Sequence, residues 1–578
     1  MIKNTFFLFV ALLIASFVQC SVAAESEPNL LKVPIDWLAS QAPIKQPLLT
    51  SAFERATTTT ATSTSIAGRL SLTPIKNTDY FKIIKDNYKV NREGNSFINR
   101  LPKMEFDIVQ SGTNLVPRIR TIQRSEHPYW EWQISPGTTW QQVNEEGYRR
   151  VMFPFSLQEK NANCTHNGII LFAFNESDEP TDGVFQIASE TCAYLQFDLT
   201  GRLAVDFIQS QPESSIGLLE DFATETVEKI PVFNDKNLHE DHPKLNISAL
   251  KPSLPDESTT SGVVINGKHY RLNCSTRFGD YPNCDYLALP SYSTAKSFVG
   301  GVGLMRLEKI VPNIGKALLT KVVPECAEAH WKGVTLNDLI NMRTGNYLSK
   351  KPMADESSER VLKFFSATTN TQKLKLSCEM YPHRSLPGKY FSYHTTDTYL
   401  AGVMMSRLFT KMTKRNDFYT DILVNEIWKS LKLSPLMKDS KRTYDKDEQP
   451  FFGFGLTYLI DDVIKMSNFL QTQITINKED ALLDQTMLES ALQYGDLRIN
   501  REGGSPSVAY NHSFWALEVG RELGCKKARW IPFMSGFGGI TIALISPDLI
   551  YYNFSDHHKY QWLDVVVELN RQFPICEE

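Results

Sequence analysis

"ALPSYSTAKSFVGG", residues Ala288 to Gly301, sets a serine and a lysine three positions apart at the head of an apolar, glycine-rich segment. In a helix, Ser293 and Lys296 share a face about one turn apart, and an amine beside a hydroxyl is one way to make a serine nucleophilic. The spacing alone is weak, because Ser248-Ala-Leu-Lys251 repeats it directly before Pro252 with nothing helical after it. The residues after Ser293 say more. Ala295, Phe298, Val299, Val302 and Met305 fall on one helical face. Gly300, Gly301 and Gly303 each cost helix stability, which the close packing of a buried central helix would offset. Ser293 then lies at a helix N-terminus, where free N–H groups and the helix dipole favour developing negative charge. The plain alternative is an N-cap serine followed by a solvated first-turn lysine.

The chain of 578 residues has room for roughly two to four domains. Its 42% hydrophobic and 22% charged content is ordinary for a globular protein. With 61 basic against 65 acidic side chains the net charge is −4, which argues against a nucleic-acid binder or a polybasic membrane-surface protein. Lys3, the apolar run Phe6 to Val18 and the small residues Val22-Ala23-Ala24 make a secretory signal over residues 1–24. The run is shorter than the ~20 residues a membrane span needs, so no stable membrane insertion is expected. Gln19 stands where a lipoprotein site before Cys20 would carry a small residue. The mature chain is therefore expected to be exported, periplasmic or secreted. Nine cysteines become eight once Cys20 is removed. In an exported chain these favour disulfides, and sequential pairing is expected: Cys164 with Cys192, Cys274 with Cys284, Cys326 with Cys378, Cys525 with Cys576.

Residues 25–78 read as a linker or low-order segment, with the Thr/Ser run Ala56 to Ser65 too poor in apolar groups to pack. Residues 79–212 turn to short aromatic and β-branched runs, among them "YWEWQI", "RRVMFPFSL", "GIILFAF" and "YLQFDL", bounded by turn residues. An antiparallel β-sandwich accessory domain is the expectation. The aromatics of His127 to Gln142 could form a sugar-stacking face, giving a possible carbohydrate contact, although alternating aromatics more often build a core. Residues 213–578 mix helical segments with a hairpin turning at Asn266-Gly267 and closing strands from Ile540 to Asp556. That places the last strands beside an early hairpin, an α+β catalytic domain. No Walker loop, dinucleotide fingerprint, internal repeat or HExxH spacing occurs, so neither cofactor nor metal is expected.

Three downstream segments bear on Ser293: "GVTLNDLINMRTGNY" (Gly333 to Tyr347), "LPGKYFSYHTTDTYLAGVMM" (Leu386 to Met405) and "FMSGFGGITIALISPDLIYYNF" (Phe533 to Phe554). With Ser293-Thr-Ala-Lys296-Ser-Phe, their order and spacing resemble the penicillin-recognising serine hydrolases, the class C β-lactamase and serine peptidase superfamily, and most of all its 6-aminohexanoate-dimer hydrolase branch. The segment Gly453 to Leu470 is similar too, and the resemblance covers roughly Ser214 to Glu578. It implies a β-lactamase/transpeptidase-like domain, an antiparallel sheet flanked by helices with a helical subdomain. It also implies Ser293 as acylated nucleophile, Lys296 as its proton-managing partner and Tyr393 as general base. A nearby ammonium would stabilise the Tyr393 phenolate and lower its pKa; which of Lys296 and Tyr393 takes the first proton stays open. The backbone N–H groups of Ser293 and Phe537 would form the oxyanion hole, with glycines at 536, 538 and 539 permitting close approach. Thr395, Asp397, Ser535 and Gly536 would support binding.

Two departures narrow the reading. Tyr393-His394-Thr395 replaces Tyr-x-Asn, and Met534-Ser535-Gly536 replaces a Lys/His-Thr-Gly triplet whose cation holds the β-lactam carboxylate. Methionine cannot pair with a carboxylate, so weak or absent β-lactamase activity is expected. The reading left is an exported serine hydrolase acting on a small-molecule ester or amide. Its rivals are a D-amino-acid peptidase trimming cell-wall peptides and a non-catalytic protein that binds a surface polymer on a hydrolase scaffold.

Overall fold

Between residues 67 and 209 the β-branched and aromatic runs form ten strands, eight of which close on themselves, while Tyr80–Lys85 and Trp130–Ile134 pair alongside. A computed structural model describes the protein over residues 33–576, apart from 41, 45, 56–58, 61–64, 76–78, 92–97, 144, 146, 211–214, 253–257, 495–506 and 561. The expected signal at 1–24, with Cys20, lies outside the described residues. The eight strands are β1 (Ala67–Pro74), β2 (Met104–Ser111), β3 (Asn114–Pro117), β4 (Gly137–Gln142), β5 (Arg149–Glu159), β6 (Thr165–Phe174), β7 (Gly183–Thr191) and β8 (Gln196–Gln209). Each pairs antiparallel with the next of the eight, and β8 pairs back to β1.

The expected β-sandwich is therefore corrected to an up-and-down barrel. The deciding feature is β4, which pairs both β3 and β5 and so leaves no gap between two sheets. Inside, Phe153, Phe155, Phe172, Phe174, Phe185 and Phe197 are buried with Leu and Ile partners, as expected for an eight-stranded barrel just wide enough to be filled by side chains. The alternate residues Met152, Ile169, Leu171, Ala173 and Val184 point outward, yet they are buried too, in the same core as the helices of the later chain. Trp130, Trp132 and Trp140 are all buried, so the tryptophans of the His127–Gln142 stretch are core rather than an exposed platform.

The stretch expected as a linker is packed over much of its described length. Val33, Leu38, Ile44, Leu48, Ala52 and Phe53 join the main core, and the guanidinium of Arg202 on β8 donates to the carbonyls of Trp37, Leu38 and Ala42. The rest of the segment supplies β1.

After the barrel comes a nine-stranded sheet in which Thr260–Ile265 pairs with Lys268–Thr276 on one side and Leu549–Phe554 on the other. The hairpin turns at Asn266 and Gly267, with φ of 50° and 77°, the left-handed pair that a two-residue hairpin loop demands. Ile540–Ser546, Arg529–Gly536, Phe514–Val519 and Val508–Asn511 continue the sheet antiparallel. Helices Val302–Ile310, Thr395–Thr413 and Ile460–Thr475 bury apolar side chains in the main core beside it. The four sequential disulfides are present. Among the described residues no helix is long and apolar enough to cross a membrane.

Candidate active site

Leu289–Pro290 pairs antiparallel with Thr457–Tyr458, and the chain then turns sharply at Tyr292. There φ is +40°, a left-handed conformation that a bulky aromatic rarely adopts and that marks stored strain. Ser293 comes next, half-buried, and the helix begins at Thr294. It is not the regular helix expected. Lys296–Gly301 form a π-helical stretch before the α-helix Val302–Ile310. Gly301 is packed so tightly that a Cβ would meet the His512 carbonyl oxygen at 2.6 Å, which accounts for a glycine in mid-helix.

Lys296 is buried, and its Nζ donates to Ser293 Oγ at 2.9 Å, Thr395 Oγ1 at 2.9 Å and the Gly453 carbonyl oxygen at 3.1 Å. Burial pushes its pKa down to about 8, partly opposed by the negative charge of Glu356. At pH 7 about a tenth of such amines are neutral, against roughly one in 3,000 for an unperturbed lysine.

Tyr393 is buried against Trp515, with ring centroids 5.5 Å apart, and Tyr510 at 5.9 Å. It interacts with Ser293, but burial, Tyr510 and Glu356 together drive its pKa well above the ordinary phenol value. Burial and these neighbours oppose the ammonium-stabilised phenolate that the resemblance implied. Lys296 lies over the Tyr393 ring, 5.1 Å from its centroid, and directs its N–H groups at Ser293, Thr395 and Gly453. The two shifts run in opposite senses, favouring the protonated phenol at Tyr393 and the neutral amine at Lys296.

Thr395 caps this arrangement in a way that its motif did not foretell. Its N–H donates to Glu356 Oε2 at 2.9 Å, and its hydroxyl donates to Glu356 Oε1. Glu356 sits in a loop without a recognisable motif, so sequence reasoning passed over it. Asp397, expected to support substrate binding, instead faces inward. It is buried, 3.5 Å from His394 Nδ1, while Asp355 lies 3.0 Å from Nε2. The His394 ring stacks on Tyr381 with centroids 3.9 Å apart. This buried network fixes the ends of the two segments that carry Glu356 and Thr395.

On the opposite side, Gly536 ends its strand so close to the nucleophile segment that a Cβ would meet the Ser291 carbonyl oxygen at 2.9 Å. Phe537 continues into the turn, with Tyr292 at 5.8 Å and His558 at 5.1 Å between ring centroids. Met534 is fully buried in the main core, whereas Ser535, the next residue along the strand, is half-buried. No cation therefore occupies position 534. Among the described residues no cluster of three or more His, Cys, Asp or Glu could hold a metal ion.

No family model matches the chain, and no curated protein sequence matches it. Solved structures with similar folds include a protein from Bacillus anthracis provisionally assigned as a 6-aminohexanoate-dimer hydrolase, at 14% identity over 58% of this chain and 82% of that one, TM-score 0.41. A D-stereospecific amidohydrolase from Streptomyces sp. matches at 15% identity over 57% and 97%, TM-score 0.40. A class C β-lactamase matches at 13% identity over 54% and 90%, TM-score 0.38.

Proposed function

We propose that the protein is a serine hydrolase that cleaves ester or amide bonds through an acyl-enzyme on Ser293. The observation that carries this reading is the 2.9 Å contact between Ser293 Oγ and the buried Nζ of Lys296. The neutral amine takes the hydroxyl proton as Oγ bonds to the substrate carbonyl carbon. The carbonyl π electrons move to oxygen, and the N–H groups of Ser293 and Phe537 are assigned to that oxyanion. Collapse breaks the bond to the alcohol or amine, which takes the proton from the Lys296 ammonium as it leaves. Water then attacks the acyl-enzyme by the same route, and Ser293 regains its proton. Export and the choice of linear substrates belong to the proposal as well; uncharged Met534 supports the latter, since nothing at that position holds a ring-borne carboxylate.

A fluorophosphonate probe tests it. The native protein and Tyr393→Phe are expected to label, the latter more slowly, while Ser293→Ala and Lys296→Met do not. Turnover of p-nitrophenyl acetate with no release from D-alanyl p-nitroanilides would place the protein with esterases rather than cell-wall peptidases. A native protein that neither labels nor turns over any such ester would sink the hydrolase reading in favour of a binding scaffold.

A further inference from the structure

The barrel reaches into the catalytic side at one point that bears directly on the nucleophile. Asn163 lies in the connection between β5 and β6, is 1% exposed, and precedes Cys164, whose disulfide to Cys192 ties that connection to the end of β7. Its side-chain oxygen accepts from the Tyr292 N–H at 2.8 Å, from the Gly455 N–H at 2.9 Å and from Ser291 Oγ at 3.1 Å. Its amide nitrogen donates to the Leu456 carbonyl at 3.1 Å. One carboxamide thus joins two segments that carry different parts of the site: the strained turn that presents Ser293, and the stretch whose Gly453 carbonyl accepts from Lys296.

We infer that Asn163 is a positioning residue for the acylation chemistry, so that the barrel is a structural part of the active site rather than an independent accessory. The inference rests on the hydrolase reading above. A residue with Tyr292's φ persists only where its surroundings over-determine it, and the Tyr292 N–H is held by Asn163 alone among the described contacts. Without the carboxamide, three hydrogen-bond donors lose their common acceptor; Ser291 stays bonded to Leu456, but the strained Tyr292 peptide loses the bond that holds its N–H. The Ser293 hydroxyl then leaves its place relative to both Lys296 and the oxyanion donors. Asn167 supplies an internal comparison. It is also 1% exposed and on the same barrel wall, and it exchanges two hydrogen bonds with the backbone of Ala288, at 2.9 and 3.0 Å. Those bonds fix the interface five residues before Ser293 without touching the turn.

The test is the rate of fluorophosphonate labelling, with kcat and KM for p-nitrophenyl acetate and circular dichroism on each full-length variant. Asn163→Ala is expected to label about 100-fold more slowly, the loss in kcat with KM little changed, as for a nucleophile displaced by about an ångström. Asn163→Asp, which keeps the acceptor oxygen, should recover to within about tenfold of native. Asn167→Ala should lose comparable thermal stability and keep labelling within about threefold. Should Asn163→Ala fail to fold, Asn163→Asp against Asn163→Gln decides: the longer side chain displaces the oxygen and should be at least about tenfold slower than Asp. Native-like labelling in Asn163→Ala, equal losses in the Ala variants at 163 and 167, or equal rates for Asp and Gln would overturn the inference while leaving the hydrolase reading intact. A native protein that does not label at Ser293 removes both.

Discussion

Glu356 holds Thr395 twice, taking a hydrogen bond from its backbone N–H at 2.9 Å and another from its hydroxyl, while that same hydroxyl accepts from Lys296. The carboxylate is thereby linked to the amine through one intervening oxygen, and its charge raises the Lys296 pKa against the effect of burial.

Replacing the carboxylate should expose this balance. In Glu356→Gln the Lys296 ammonium loses its counter-charge, so its pKa falls below about 8. The acid limb of the kcat/KM profile, where activity rises as the amine becomes neutral, should move to lower pH by about one unit. Profiles for p-nitrophenyl acetate between pH 5.5 and 9.5 will show it, and a limb that stays put or moves upward contradicts the assignment of Lys296 as base.

Penicillins should be poor substrates. Met534 offers no charge to the β-lactam carboxylate, a loss of about 1.5–3 kcal/mol in binding and transition-state stabilisation. Met534→Lys is expected to destabilise the fold, since position 534 is fully buried. Nitrocefin turnover by the native protein at the rate of a dedicated β-lactamase would show that another group does this work.

The buried His394 network predicts a pH-dependent contribution to stability. Burial lowers the His394 pKa, but Asp397 and Asp355 outweigh it and raise it to about 9. The folded state therefore holds a proton that the unfolded chain releases near 6.5. The stabilisation is complete below pH 6.5 and is lost as pH rises through about 9. Against His394→Gln, the native advantage in unfolding free energy from urea titration should be greatest at pH 6 and shrink by up to about 3 kcal/mol by pH 9.5. A gap that is constant with pH would mean that His394 is neutral throughout.

Gly345→Ala should unfold the segment joining Met342 to Tyr347. Its φ is +80°, and a Cβ would lie 2.0 Å from the backbone carbonyl oxygen of Ser385. Strain alone costs about 1–3 kcal/mol, and here the obstacle is backbone that cannot swing aside. The urea midpoint should drop clearly, and an unchanged midpoint would refute the local geometry.

The catalytic part should not survive alone. A chain beginning at Ser215 would expose Met152's and Leu171's apolar partners in the main core to water. It is expected to aggregate or to bind a hydrophobic dye, and a monomeric, cooperatively folding fragment would count against the shared core.

Much of the site was legible because its signals are local. The Ser293–Lys296 spacing survives even a π-helical turn, since both residues precede the widened turn or open it. The hairpin at Asn266-Gly267 and its place beside the final strands come from turn chemistry and alternation. What sequence could not supply is long-range. Asn163 acts on a residue 128 positions away, and Glu356 acts from a loop with no periodicity. Sandwich and barrel share the same two-residue alternation, and only the double pairing of β4 separates them. Burial of Tyr393, which pushes its pKa up, is likewise a property of the assembled core that no local motif carries.

The barrel is complete at Gln209, more than eighty residues before Ser293 is made. Its outer wall shares one core with helices that follow in the chain, so a barrel formed during synthesis would carry an uncovered apolar face until those helices emerge.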